Sequence, residues 1–419
     1  MVGVCYRVMQ EFIRRNKGQS YRGHILSPAP RADFINRLRR QDASYSRIVF
    51  VSKPQAPEDV SRTTPMTQTK RLSVGILGLS HLHPRGYMTL FQAIPEVAVI
   101  AAADANPAVL EGFVKDFALR GYADWRELLE QERLDLAVIF LPHADCPEAA
   151  VACTARGVHV VVEKPMAASA AGVRRMIPAA EQAGVILSTP YVWRYHPVVQ
   201  EMKRLIEEGV TGRIVGCEGR CAAGRLSRYI EGHAGWMLEK ARSGGGPMFN
   251  LGVHWIDLYR WLLEDEVVEV MGKMVRVNQQ YDIEDNSFAL LTFSRGTVLA
   301  LDISYTVPDS YPFGRDLYLA LRGTNGVLAW SPSFEGSKES LFVCSDSGEY
   351  STATRQHLDF ELPPQPGYGG VMGLRFLSEL VESIRSGKPP AITGEDGLKA
   401  LEVVEAIYQS AESGRSIKL

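Results

Sequence analysis

The chain has 419 residues, too many for one ordinary hydrophobic core, so two domains are expected. Hydrophobic residues make up 46% and charged residues 22%, a globular balance, and a formal net charge of -2 gives no basis for binding nucleic acid or a membrane surface. No apolar run approaches the roughly 18–20 residues that span a bilayer, and six cysteines without a CxxC pair or zinc-like spacing read as free thiols in a reducing cytoplasm.

The first stretch, Met1–Arg71, carries 14 Lys/Arg against 5 Asp/Glu and has Pro-rich patches but no clean period. Residues 1–70 therefore read as a basic, poorly ordered extension. It lacks the apolar core of a secretory signal, and Met66 sits just before the first strong strand, as a misplaced start would. Arg47–Ser52 is one short segment able to pair locally. From Leu72 the pattern becomes strand and helix in turn. Strands are predicted at Leu72–Leu77, Val97–Ala103, Leu134–Leu141, His159–Val162 and Val185–Thr189. Amphipathic stretches lie between them at Pro107–Leu119, Trp125–Glu132, Pro147–Arg156 and Ala168–Ala183. Near-continuous Val/Ile/Leu/Ala strands alternating with helices mean a parallel sheet covered on both faces, a doubly wound Rossmann α/β domain over residues 71–190.

After Tyr191 the character shifts. A helix at Pro197–Glu208 leads to a strand at Ile214–Arg220, a Gly-rich turn at Ser243–Gly246 and a Trp-rich helix at Val253–Leu263. Alternating strands follow at Val267–Val277, Phe288–Phe293, Val298–Thr306, Leu317–Arg322 and Val327–Trp330, then two helices at Met372–Ser386 and Gly394–Ser413. This predicts an α+β second domain over 191–419 with an open, mainly antiparallel sheet.

The first strand runs into a turn where the positions of a GxGxxG motif fall on Gly78, Ser80 and His83. Such a turn aims backbone N–H groups and a helix N-terminus at a pyrophosphate. Only the first glycine is present; Ser80 offers a hydroxyl, and His83 is bulky for close helix packing. Asp104 ends the second strand, where a carboxylate binds the adenosine ribose hydroxyls and repels a 2′-phosphate, which favours NAD over NADP. Asp104 also stands where it could cap the helix that begins at Pro107. His81 and His83 lack a third ligand, so no metal is assigned.

The segment "GVHVVVEKPMA" (Gly157–Ala167) resembles the Glu-Lys-Pro signature of the glucose–fructose oxidoreductase/inositol dehydrogenase (Gfo/Idh/MocA) family. "SGGGPMFNLGVHWIDLYRWLL" (Ser243–Leu263) resembles that family's Gly-rich turn and its Asp-x-x-x-His helix; "WRYHP", "TGRIV" and the C-terminal Ser386–Leu419 are also similar, in the same order. The resemblance covers about Lys70 to Leu419. It implies a nicotinamide-dependent oxidoreductase acting on a sugar, inositol or related polyol, with its active site between a Rossmann domain and an open-sheet domain. Lys164 would hydrogen-bond the substrate oxygen, though pairing with Glu163 alone is the structural alternative. His254 would act as general base, though a lone His in an apolar helix is often only a packed core residue. Asn250 stands where the family has Asp; it can orient a hydroxyl but cannot take a proton. Asp257 could add charge to the same helix. Gly78, Ser80, His81, Asp104, Pro142, His143, Glu163, Lys164 and Arg194 are the expected cofactor neighbours. Tyr195, Trp236, Asn250 and His254 are the expected substrate neighbours, Trp236 by stacking on a sugar ring. A homodimer or homotetramer through the exposed sheet face is implied by the resemblance alone. Two other readings share this fold: an NAD-using enzyme that cleaves glycosides, and a non-catalytic dinucleotide sensor.

Overall fold

In a computed structural model, residues 46–50, 70–308, 310–333, 338–352 and 355–419 are described. Apart from one strand, β1 (Ser46–Phe50), the expected basic extension lies outside the described residues. The parallel sheet is built from β2 (Leu72–Leu77), β3 (Val97–Ala103), β4 (Arg120–Tyr122), β5 (Leu136–Ile139), β6 (His159–Val162) and β7 (Leu187–Ser188), in the order β4-β3-β2-β5-β6-β7. Helices α1 (Pro84–Gln92), α2 (Pro107–Phe117), α3 (Trp125–Gln131), α4 (Cys146–Thr154) and α5 (Ala170–Ala183) cross over between the strands. The order reverses direction beside β2, which is the switch point where open parallel sheets bind ligands at their carboxyl ends. Residues of both parities along the central strands are fully buried, as in Leu136–Ile139, because helices cover both faces. The predicted strand over Val185–Thr189 shortens to two residues.

The chain then runs through a 3₁₀ turn (Val192–Tyr195), α6 (Pro197–Glu207), β8 (Ile214–Ala223), α7 (Ser227–Glu231) and α8 (Lys240–Ser243). A π-helical turn (Met248–Gly252) leads directly into α9 (Val253–Leu263). The second sheet adds β9 (Val267–Val275), β10 (Asn286–Phe293), β11 (Val298–Ser304), β12 (Arg315–Gly323), β13 (Gly326–Trp330), β14 (Lys338–Ser345) and β15 (Gln356–Glu361). Helices α10 (Val371–Ser386) and α11 (Gly394–Ser413) and a short β16 (Ile417–Lys418) follow. The strand order is β1-β15-β14-β13-β12-β8-β11-β10-β9-β16, antiparallel except at β1–β15 and β8–β11. The fold class predicted from segment alternation is the one observed.

Alternation along β10 and β11 sets one face against the helices and leaves the other open; Phe288 and Leu290 of β10 and Met271 of the neighbouring β9 are about half exposed there. Gly272 allows α11 to cross β9 closely: a Cβ there would lie 2.5 Å from the Ile407 carbonyl. Helix α9 is buried nearly all round, so its charged residues must be paired. Asp257 pairs with Arg194, and Arg260 donates to Glu266 at 2.6 and 2.7 Å. No helix of the described residues is long and apolar enough to cross a membrane.

Candidate active site

Two cavities lie along the carboxyl ends of the parallel strands. One, of about 680 Å³, is lined by Gly78, Ser80, Asp104, Pro142 and Trp236. Gly78 adopts φ +90°, and a Cβ there would lie 2.8 Å from the Leu141 backbone nitrogen, so only glycine makes this turn. The loop amides expected to face a pyrophosphate are turned differently. The N–H groups of Leu79 and Ser80 donate to Asp104 Oδ2 at 2.6 and 2.7 Å, and the Ser80 hydroxyl donates to Oδ1 at 3.0 Å. A carboxylate collecting several donors makes strong, charge-assisted bonds, so Asp104 shapes the loop while lining the cavity. It does not cap α2; the Asn106 side chain does, accepting from the Ala108 amide at 3.2 Å.

The other cavity, of about 1190 Å³, is lined by Lys164, Asn250 and His254 among others. Lys164 follows the end of β6, and the π-turn and α9 carry Asn250 and His254 to face it. The Lys164 ammonium donates to Asn250 Oδ1 at 2.8 Å and to the Asn250 carbonyl at 3.1 Å. The Asn250 amide donates to the hydroxyls of Tyr229 at 2.7 Å and Tyr305 at 2.9 Å, which fixes its orientation. Burial pulls the Lys164 pKa down to about 8, with Glu163 opposing the shift and Arg228 adding to it. Burial, then the Lys164 charge, holds His254 well below its usual value, so its imidazole is neutral at pH 7.

Between the cavities lies a buried polar seam. His143 Nδ1 is 2.7 Å from the Ser243 carbonyl, which only accepts, so Nδ1 carries the proton. Burial brings the His143 pKa to about 4. His81 Nδ1 accepts from the His83 amide at 3.1 Å, and His83 Nδ1 is 3.3 Å from the buried Glu163 carboxylate. Burial raises the pKa of Glu163. His81 Nε2, His143 Nε2 and His254 Nδ1 are buried without a hydrogen-bond partner among the described residues. Buried polar atoms are normally paired, so these mark places where a polar ligand completes the set. A dinucleotide fits this arrangement of turn, acidic strand end and unpaired polar seam. Among the described residues no group of three or more His, Cys, Asp or Glu is placed to hold a metal ion.

Not every expected neighbour is where the sequence placed it. His81, His143 and Glu163, in the seam, line neither cavity themselves, and neither do Arg194 and Tyr195. Arg194 is buried in a bidentate pair with Asp257 and donates to Asp396 at 2.7 Å, joining the 3₁₀ turn to α9 and α11. Burial pushes the Asp257 carboxyl up to about 6 against the pull of Arg194. The Tyr195 hydroxyl donates to Glu379 at 2.6 Å on α10. Trp236 is absent from the Lys164 cavity; its indole N–H donates to the Ser80 carbonyl at 2.8 Å and its ring meets His143 edge-on at 4.8 Å. It braces the Gly78 loop rather than offering a face to a sugar ring. Sequence reading also missed Arg228, Arg315 and Tyr229, which line the Lys164 cavity. Tyr368 also lines it, with its ring 4.1 Å from that of His83.

Family models for the oxidoreductase family match this chain twice: the NAD-binding Rossmann fold over residues 72–191 and the C-terminal alpha/beta domain over residues 203–419. The chain belongs to the Gfo/Idh/MocA oxidoreductase family. It is 26% identical to the D-apiose dehydrogenase of Paraburkholderia graminis, covering 88% of this chain and 95% of that one. It is 26% identical to the myo-inositol 2-dehydrogenase of Thermotoga maritima, covering 83% and 98%. Among solved structures, a levoglucosan dehydrogenase in complex with NADH and levoglucosan shares the fold, with a TM-score of 0.73 at 20% identity over 83% of this chain and 99% of that one.

Proposed function

We propose that this protein oxidises a secondary alcohol of a sugar, inositol or related polyol with NAD, using Lys164 and His254. The supporting observation is convergence: an ammonium from the end of a parallel strand and an imidazole from α9 line one cavity beside the buried polar seam. Bound nicotinamide supplies the hydride acceptor. Lys164, still largely protonated at pH 7, donates a hydrogen bond to the substrate oxygen and stabilises the charge that grows there. His254, neutral at that pH, accepts the hydroxyl proton. Asn250 is a positioning residue: its fixed amide oxygen holds the ammonium, and lacking a carboxylate it leaves the ammonium easier to deprotonate.

Gly78, Ser80, Asp104, Pro142 and His143 hold the dinucleotide in this reading, with Glu163 beneath. NAD is preferred to NADP because Asp104, Asp124, Asp145 and Glu148 line the first cavity and repel a 2′-phosphate. Its cation nearest those acids, Arg126, already donates to Glu148 at 2.5 Å. A second copy of the chain covers the open sheet face, giving a dimer or tetramer, because Met271, Phe288 and Leu290 form an apolar surface. The buried cysteines of the described residues are free, in keeping with a cytoplasmic setting.

The test is NADH formation across a panel of inositols, aldoses and sugar acids, with Lys164→Ala and His254→Ala as controls. Turnover lost in both variants is expected. Full turnover in both would refute the assignment, net sugar release without NADH would favour glycoside cleavage, and dinucleotide binding without any turnover would favour a sensor.

A further inference from the structure

We propose that the polyol bound at Lys164 carries an anionic oxo group, a carboxylate or a phosphate, held between Arg228 and Arg315. This rests on the dehydrogenase reading and names its substrate class. Residue pairing between β8 and β12 places Arg315 opposite Ala223, and the Gly224 amide donates to the Gly314 carbonyl at 3.0 Å, tying the two strand ends together. Gly224 has φ +84°, and a Cβ there would come within 2.1 Å of Arg228 Cζ, so the guanidinium lies directly over this glycine. Two arginines distant in sequence are thereby brought to one wall of the cavity.

Guanidinium groups stay charged at any working pH, so both present positive charge to this wall of the cavity. Arg315 keeps solvent access, yet burial and then the charge of Arg228 lower its pKa. Lys164 is a third cation on the same cavity. Among the described lining residues the carboxylate is Glu339, which accepts from the Trp330 indole at 2.9 Å and the Ser333 amide at 3.2 Å. Paired guanidinium forks match the oxygens of a carboxylate or phosphate better than a neutral hydroxyl.

The position is also coupled to the chemistry. Arg228 donates to the Tyr229 hydroxyl at 2.7 Å, the same hydroxyl accepts from Asn250 at 2.7 Å, and Asn250 accepts from Lys164 at 2.8 Å. This chain of bonds fixes the anion site relative to the reacting oxygen. Arg228 Nε is buried without a hydrogen-bond partner among the described residues, leaving a donor for the ligand.

Calorimetric titration of the full-length, NADH-loaded protein tests this. The probes are matched aldoses, aldonates and aldose 6-phosphates, with myo-inositol as a second neutral polyol. At least one anionic series is expected to bind about tenfold or more tightly than its neutral counterpart. Raising salt from ~0.05 to ~0.5 M should weaken the anion alone. Arg315→Met and, separately, Arg228→Met should bring the anion to the neutral level while NADH affinity stays within about twofold, which also shows that each variant is folded. The stronger series identifies carboxylate or phosphate. Equal affinity for anionic and neutral polyols, or an anion preference intact in both variants, overturns the proposal. Anion binding without NADH formation when NAD is supplied leaves it standing and overturns the dehydrogenase reading instead. Binding of no polyol overturns both.

Discussion

The two cavities differ in charge. Asp104, Asp124, Asp145 and Glu148 line the one at the Gly78 turn, against Arg126 and Arg242, whereas Lys164, Arg228 and Arg315 line the other against Glu339. Both open from the same strand ends, so the contrast comes from what each neighbouring segment contributes. The acidic lining arises within the parallel sheet, from Asp104 after β3 and Asp124 before α3. The cationic lining comes mostly from the second domain, where β12 begins at Arg315 beside the end of β8 and Arg228 follows on α7. On the readings proposed above, charge selects the ligand at each cavity independently: the acidic one against an extra phosphate on the dinucleotide, the cationic one for an anionic substrate.

The largest expected effect breaks the cationic side at its reactive member. Lys164→Ala should lower kcat on the order of 10³-fold, read by stopped-flow NADH formation, with dinucleotide affinity nearly unchanged. On the acidic side, Asp104→Ala should weaken NAD binding and narrow its advantage over NADP about tenfold or more, read by fluorescence titration. It also removes the acceptor of two loop amides, so a melting curve should accompany it. The pH profile sharpens the contrast further. The Lys164 ammonium is present below about pH 8 and lost above it, so kcat should fall as pH rises through that value. Asn250→Asp puts a carboxylate oxygen beside the ammonium, favours its charged form, and should move that falling limb up by about one pH unit. Smallest is Gly224→Ala, which strains the backbone and displaces Arg228. It should cost about 1–3 kcal/mol of stability by denaturant unfolding and weaken anion binding.

What the sequence disclosed followed the range of the interaction that fixes it. Strands such as Leu136–Ile139 declare themselves by an unbroken apolar run, and α9 begins and ends where its pattern predicted. Lys164, Asn250 and His254 were legible because each sits in a short motif next to a strand end or helix start. Strands β14 and β15 were missed because charged and polar residues interrupt their apolar pattern; pairing of β14 with both β13 and β15 holds them in the sheet. Arg194 and Tyr195 looked like site residues because they flank the junction; their partners Asp257, Asp396 and Glu379 lie far along the chain, and only the fold reveals them. Arg228 and Arg315 carry no local signal at all. Their convergence depends on the register between β8 and β12, a long-range pairing that no periodicity encodes.

Lys164 and His254 are held here to act on one oxygen in one step, and a double-variant cycle tests that most directly. Single-turnover rates of hydride transfer would be measured for Lys164→Ala, His254→Ala and the pair together. Residues serving the same step are strongly non-additive, so the double variant should be little slower than the worse single variant. Losses that multiply in full, as for independent sites, would contradict the shared role.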